Sequence, residues 1–406
     1  MKFNVSSQEF GTQLASCLAR YFGVKPEDAS KTQIYRATCM CVRDILTQTR
    51  VNFKKQVHEK NAKQIYYMSM EFLLGRSLRN HLFNMGIEAP VRKAVESLGV
   101  SLDEIYSYEP DAGLGNGGLG RLAAAYMDAL TSLGYAASGF SILYDYGLFK
   151  QVIVDGWQLE QPDDWLKMGD VWLAPRQEEI YSVKFGGHVD QTWENGKLII
   201  NHRDCTVVNA VPYDMNISGY DTKAVNRIRF WHSEAPQDFD IHMFSKGEYV
   251  KASSAKTVAE AINKVLYPAD DHIEGKSLRL KQQYFFVSAS VQSILHRHLQ
   301  TNPSLDNLAD CVAIHINDTH PTLCIPELMR LLLDEYGYGW DEAWNITSHT
   351  VSYTNHTVMS EALEKWPQDL FAGLLPRIFQ IVQEINLRFC DELWRAYPNN
   401  WDVVSN

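Results

Sequence analysis

The chain has 406 residues, 45% hydrophobic and 21% charged, the balance of a soluble globular protein with room for more than one domain. Its net charge of −11 argues against nucleic acid or an anionic membrane as partner. It contains no run of about 18 apolar residues that could span a bilayer.

The N-terminus, MKFNVSSQEFGTQLAS, lacks a basic start ahead of an apolar stretch, so no secretion signal is expected and the cytoplasm is the expected location. Residues 8–48 read as helical, with apolar positions at Ile34, Cys41, Val42, Ile45 and Leu46. Pro26-Glu27-Asp28 supplies a proline-led, acidic first turn. QIYYMSMEF (64–72) is a buried strand or a short helix, which periodicity cannot separate. Residues 91–107 are helical, with a break at Gly99.

Next, Gly113, Gly115, Gly117, Gly118 and Gly120 run straight into a helix. Leu122, Ala125, Tyr126, Ala129, Leu130 and Leu133 give it an apolar stripe, and Gly134 suits its end. Between 139 and 250, Tyr, Trp, Gly and Val dominate, and alternating runs such as KLIINHRDCTVVNAVPYD (197–214) predict strands. Helices return from 255 to 300. CVAIHI (311–316) and HTVSYT (349–354) are predicted strands. Each leads into a polar turn, NDTHP or Asn355-His356, and then into a helical pattern, TLCIPELMRLLLDEYG or VMSEALEKW. Strand, turn and helix in repetition specify a parallel α/β sheet, whose ligands bind at the carboxyl ends of the strands. That places Asn317, Asp318, His320, Asn355 and His356 where chemistry would occur.

A helix start exposes N–H groups and a partial positive charge, and glycines let a ligand approach the backbone. Together they make a site for phosphate or carboxylate. The alternative is a tight turn that needs positive φ angles. A G-x-G-x-x-G pattern alone does not decide between them, and the G-K-[ST] ending of a Walker loop is absent. The seven cysteines include one close pair, Cys39-Met-Cys41, without the spacing of a zinc knuckle. His315 and His320 are five apart and His349 and His356 seven apart, neither being a helical zinc pair, so no metal is expected. Reduced thiols in a cytosol are expected instead.

EPDAGLGNGGLGRLAAAYMDAL resembles the N-terminal signature of the glycogen and α-glucan phosphorylases. Further motifs follow in family order: YYMSMEFLLGRSL (66–78), YDYGLFKQ (144–151), RLKQQYF (279–285), IHINDTHPTLCIPELMRLL (314–332) and YTNHTVMSEALEKWP (353–367). The resemblance covers roughly residues 30–398. It implies the N-terminal Rossmann-like lobe of a GT-B fold, a parallel-rich sheet flanked by helices with a β-rich insertion. Within that lobe, residues 1–110 would be mainly helical and 111–138 the glycine loop and helix, with 139–250 β-rich and 251–406 α/β.

The implied reaction is phosphorolysis of the terminal α-1,4-glucosidic bond of glycogen, starch or maltodextrin. Inorganic phosphate is consumed and glucose 1-phosphate is released with retained configuration. Pyridoxal phosphate, held by a lysine of a second lobe, would relay a proton. Family members run to about twice this length, and the segments bearing that lysine and the lysine–arginine phosphate clamp have no counterpart here. The chain is therefore expected to be a piece of a phosphorylase, inactive alone because a proton donor must lie within hydrogen-bond reach of the leaving oxygen. A homodimer is also implied.

By motif, the amides of Gly117 and Gly118 match those facing substrate phosphate, and Leu119 matches a residue whose amide touches the glucosyl unit. His356 matches the histidine whose carbonyl and ring meet the sugar; the alternative is a structural histidine after a strand. Asn317 and Asn355 flank these residues, and Asp318 and His320 match the turn lining the cleft. Thr319 ahead of Pro321 also reads as an N-cap. YPADDHIEGK (267–276) matches the gate over the active site, with Asp270 at the gate aspartate. Asp271 stands where many relatives carry asparagine, and a carboxylate accepts but cannot donate; the alternative is a solvated acidic loop.

Ser6 and Ser7 have only Lys2 as a basic neighbour, so phosphorylation control of the animal muscle type is not expected. His58 and His296-Arg297, with Lys54 and Lys55 nearby, stand where those relatives hold a nucleotide activator; a solvated basic face is the alternative. Two rival classes exist. One is a non-catalytic glucan-binding module that stacks sugars on Tyr144, Tyr146 and Trp165. The other is a lobe of a nucleotide-sugar glycosyltransferase.

Overall fold

The computed structural model describes residues 3–194, 197–360 and 363–405. Lys2 and part of the VMSEALEKW stretch, Glu361 and Ala362, lie outside the described residues. Twelve strands occur among the described residues: β1 (Gln64–Met68), β2 (Ala137–Ile142), β3 (Lys150–Val154), β4 (Trp157–Gln161), β5 (Ala174–Pro175), β6 (Tyr181–Phe185), β7 (His188–Glu194), β8 (Lys197–Arg203), β9 (Thr206–Ser218), β10 (Val225–Glu234), β11 (Val312–Asn317) and β12 (Val351–Thr354). The main sheet runs β12-β11-β1-β2-β10-β9-β5, with β6 also paired to β9. The first five of these strands are parallel, whereas β9 is antiparallel to β10. β3–β4 and β7–β8 are separate antiparallel hairpins.

QIYYM is thus an interior parallel strand, with Tyr66, Tyr67 and Met68 buried. Its neighbour β2 is buried at every position. Strands covered on both faces carry continuous apolar runs, which is why alternation was silent there. The long helix Ile273–Leu299 packs behind the sheet. It is buried nearly all round from Gln282 to Leu295, and its inward polar residues are bonded: Gln282 donates to Ile262 O at 2.8 Å and Ser288 to Glu327 at 2.7 Å. Trp231 of β10 donates to Ser290 Oγ of this helix at 2.9 Å and stacks on Phe140 at 6.2 Å between ring centroids.

Three local expectations are corrected. Pro26–Asp28 forms its own short 3-10 turn, and the helix proper runs Lys31–Glu59. Ser30 begins it with a capping box to Gln33, which satisfies two orphan helix-start donors. HTVSYT divides: residues 349–350 end the helix Trp340–Thr350, and only Val351–Thr354 is strand. Among the described residues no α-helix follows Asn355-His356 until Gln368–Leu374.

The glycine-loop helix, Gly118–Ser132, forms as expected, with Gly134 at φ +77° beyond it. Its orientation reverses the expectation. Gly120, Ala123, Ala124, Met127 and Thr131 are buried, while Leu122, Tyr126 and Leu133 are 37%, 46% and 74% exposed. The small-residue face lets the helix approach the sheet closely, and the larger apolar side chains are turned outward. No helix among the described residues is long and apolar enough to cross a membrane.

Candidate functional site

The carboxyl ends of β1, β2, β11 and β12 converge on the glycine loop. None of Gly113, Gly115, Gly117, Gly118 or Gly120 has positive φ, so turn geometry does not explain them. Packing explains three. A Cβ at Gly113 would lie 2.4 Å from Trp165, one at Gly115 would lie 2.5 Å from the Leu73 amide nitrogen, and one at Gly120 would lie 2.5 Å from Glu71 Oε2. Gly117 and Gly118 are different. Nothing stands within 4 Å of a Cβ at either, and both are exposed. Gly117 is the N-cap in extended backbone with no side-chain cap, and Gly118 opens the helix. Neither fold nor packing requires glycine here; close approach of a ligand to the N–H groups would.

A hydrogen-bonded chain runs from this loop to the strand ends. Glu71 Oε2 accepts from the amides of Asn116 at 2.6 Å and Gly117 at 3.4 Å. Glu71 O accepts from Ser69 Oγ at 2.9 Å, and Ser69 Oγ in turn accepts from Asn317 Nδ2 at 3.0 Å. Asn317, fully buried, accepts at Oδ1 from His356 Nε2 at 2.6 Å. An amide oxygen only accepts, so His356 Nε2 is the donor of this bond and the ring orientation is fixed by it. Asp318 sits at φ +67°, a left-handed conformation that aspartate tolerates, and its amide donates to Thr354 O at 3.0 Å, joining the ends of β11 and β12.

His320 lies against Tyr267, 5.7 Å between ring centroids, and its Nδ1 is buried without a hydrogen-bond partner among the described residues. Burial lowers its pKa, so it is held neutral. Tyr267 OH donates to Glu71 Oε1 at 2.8 Å. Burial, reinforced by Glu71, pushes this phenol far up, so it stays a donor. Asp270 pairs with Arg279 at 2.6 Å, and Arg279 reaches Glu364 at 3.1 Å. Glu364 also accepts from Gln283 at 2.8 Å and Thr319 at 3.0 Å.

The structure thus gathers Gly117, Gly118, Leu119, Asn317, Asp318, His320, His356 and Asp270 around one region. It does not gather Asn355, whose side chain closes on Thr357 at 2.7 Å and 3.2 Å. Asp271 is exposed, and its carboxylate faces His272 at 2.9 Å. Thr319 is not an N-cap: the helix begins at Cys324, and the Thr319 hydroxyl serves Glu364 instead. Tyr144 and Trp165 are 0% and 3% exposed, bonded to Met70 O and Tyr144 O, so neither can stack on a sugar. Tyr146 is half-buried, in a bridge to Val265.

Sequence reasoning missed Ser69, Glu71, Tyr267, Arg279 and Glu364. The available signal was Glu71 itself: a carboxylate inside MSMEFLL must be partnered if that run is buried. Among the described residues no cluster of three or more His, Cys, Asp or Glu could hold a metal. No lysine amine joins the described network either. A donor set of amides, imidazoles and carboxylates supplies no amine for a pyridoxal Schiff base.

At the opposite end of the sheet, where β1 and β11 begin, lies a cavity of about 620 Å³. Arg50, Lys54, His58, Arg176, Arg227, His296 and Arg297 line it, with Asp214 and Glu179. Of the residues read as an activator site or a solvated basic face, Lys54, His58, His296 and Arg297 line this hollow, whereas Lys55 is exposed and lies 3.8 Å from Glu59. Burial lowers Arg50 to about 10 and Arg227 to about 9. Burial also lowers Lys54, helped by Arg297 and Arg50. Burial opposes ionisation of Asp214, but Arg227 at 2.6 Å and Arg229 at 2.8 Å outweigh it and hold the carboxyl well below the usual range.

Residues 95–406 match the family model described as carbohydrate phosphorylase. The chain is 45% identical over 401 residues to a glycogen phosphorylase of Bacillus subtilis (strain 168), covering 99% of this chain and 49% of that protein. It is 45% identical over 378 residues to a glycogen phosphorylase of Chlamydia pneumoniae, covering 93% and 46%. With the muscle form of Homo sapiens it shares 44% over 382 residues, covering 92% and 45%. The chain spans about half the length of these curated relatives.

Proposed function

The chain belongs to the carbohydrate phosphorylase family, and on that premise we propose that it is the N-terminal, Rossmann-like lobe of a glycogen phosphorylase of GT-B architecture. Its reaction is phosphorolysis of the terminal α-1,4-glucosidic bond of an α-glucan, releasing glucose 1-phosphate with retention. The observation that carries this is the pair Gly117 and Gly118: exposed, with room for a side chain, at a helix start where parallel strands end. Their N–H groups would meet the phosphate, and the Leu119 amide the glucosyl unit. Preorganised amides stabilise growing negative charge without reorganising. His356, oriented by Asn317, would present its carbonyl and ring to the sugar; Asp318 and His320 would line the cleft beside it.

The described network supports a divided site. Glu71, Asp270 and Glu364 share it with a single guanidinium, Arg279, among the described residues. A phosphate dianion there needs further positive charge, which the family resemblance assigns to a second lobe together with pyridoxal phosphate. The lobe alone would then bind glucan without turning it over. A cytoplasmic homodimer completes the reading. The test is phosphate-dependent release of glucose 1-phosphate from maltoheptaose, comparing this 406-residue chain with the product of the complete gene. Release by the complete product alone supports the proposal, and no release by either sinks it.

A further inference from the structure

The network contains one buried carboxylate to which the proposed reaction gives no role. Glu71 is 3% exposed and forms no ion pair among the described residues. Its two oxygens serve different parts of the molecule. Oε2 holds the Asn116 and Gly117 amides at 2.6 Å and 3.4 Å, and Oε1 holds the Tyr267 hydroxyl at 2.8 Å. The side chain fills the place where a Cβ at Gly120 would sit, 2.5 Å from Oε2, so it is wedged against the first helical turn.

Tyr267 stands at φ +52°, a conformation that a bulky residue adopts only when its surroundings impose it. Its ring is fixed between His320, at 5.7 Å, and the Arg279 guanidinium, at 5.8 Å. Three residues further along, Asp270 pairs with that same Arg279. The Glu71–Tyr267 bond is therefore a direct link from the glycine loop to the segment carrying Asp270.

We propose that Glu71 is a positioning residue that couples the glycine-loop amides, through Tyr267, to the segment 267–272. This rests on the reading of Gly117 and Gly118 as the anion cradle. A carboxyl group is planar and rigid, so a shift at Oε2 moves Oε1. An anion arriving at Gly117 repels the carboxylate and competes for the long Gly117 bond, so Glu71 leans onto Tyr267. Occupancy of the cradle is then felt at Asp270 without any contact between ligand and Tyr267.

Hydrogen exchange at single-amide resolution on the product of the complete gene tests this. Tyr267→Phe removes one hydroxyl and keeps the ring packing. It is expected to speed exchange of the Asn116 and Gly117 amides by about tenfold, although Tyr267 does not touch them, and to speed 268–276 as well. Glu71→Gln, whose amide can accept through one oxygen only, is expected to loosen both segments, and the double variant no more than Glu71→Gln alone. An effect of Tyr267→Phe confined to 268–276 would overturn the proposal. Inorganic phosphate is expected to alter exchange in both segments of the wild type and at 113–121 alone in Tyr267→Phe. If phosphate alters neither segment while the Tyr267→Phe effect at Asn116 and Gly117 persists, the cradle reading falls and the coupling stands.

Discussion

The two ends of the main sheet hold charge by opposite means. At the carboxyl ends, carboxylates outnumber cations, and the positive field comes from backbone N–H groups at a helix start. At the amino ends, cations outnumber acids, and two buried arginines depend on Asp214. Backbone dipoles are fixed by the fold and tolerate exchange of ligands. A buried ion-pair cluster depends on each member. The first arrangement suits a site that takes and releases an anion, whereas the second is a structural commitment with a basic cavity beside it.

The sharpest break of that contrast is Asp214→Asn. It leaves Arg227 and Arg229 buried without their main counter-charge, and a loss of about 3–5 kcal/mol in unfolding free energy is expected by denaturant titration. A loss under about 1 kcal/mol would mean that solvent in the cavity compensates the arginines.

Acid should separate the two ends next. His320 is held neutral by burial, so its folded pKa lies below the ordinary value. Its contribution to stability is complete above about pH 6.5 and declines as pH falls from there through the folded pKa, because the unfolded chain takes up the proton first. This group's share of the slope is at most about 1.4 kcal/mol per pH unit, and His320→Gln should remove that share while leaving those of His81 and His315, which burial also holds low. Asp214 stays ionised well below that window, so amides of β9 and β10 beside it should keep their protection while those near His320 lose it; the Ser218 end of β9 is set apart, because burial lowers the pKa of its neighbour His81 as well.

The glycines offer a third comparison, within one loop. Gly113→Ala drives a methyl into Trp165 and the Gly147 backbone and should cost about 1–3 kcal/mol. Gly117→Ala meets nothing and should change stability by less than about 0.5 kcal/mol. The smallest effect is expected from Lys54→Ala. That lysine is disfavoured by burial and by Arg297 and Arg50, so removing it should leave stability within about 0.5 kcal/mol, on the stabilising side.

Much of this was legible in the sequence. The strands β11 and β12, the glycine-loop helix and the polar turns after β11 and β12 follow from apolar run length and turn chemistry, whereas β1 stayed open between strand and helix because it is buried on both faces. Which face of that helix is buried was not legible, because Leu122, Tyr126 and Leu133 outweigh Gly120, Ala123 and Ala124 in any apolar pattern. Close packing instead favoured the small residues. Nor was the wiring. Thr319, read as a cap, and Glu364, unremarked, meet only through tertiary folding over 45 residues of chain. The distinction between glycines demanded by packing and those left free required neighbours from Phe72, Trp165 and Glu71, all remote in sequence.

The most direct test of the central claim is the KM for phosphate in phosphorolysis by the product of the complete gene carrying Gly117→Ala or Gly118→Ala, measured beside its thermal stability. The account predicts a rise of about tenfold or more in KM, with stability unchanged. An unchanged KM in both variants would show that these amides do not face the phosphate and would contradict it.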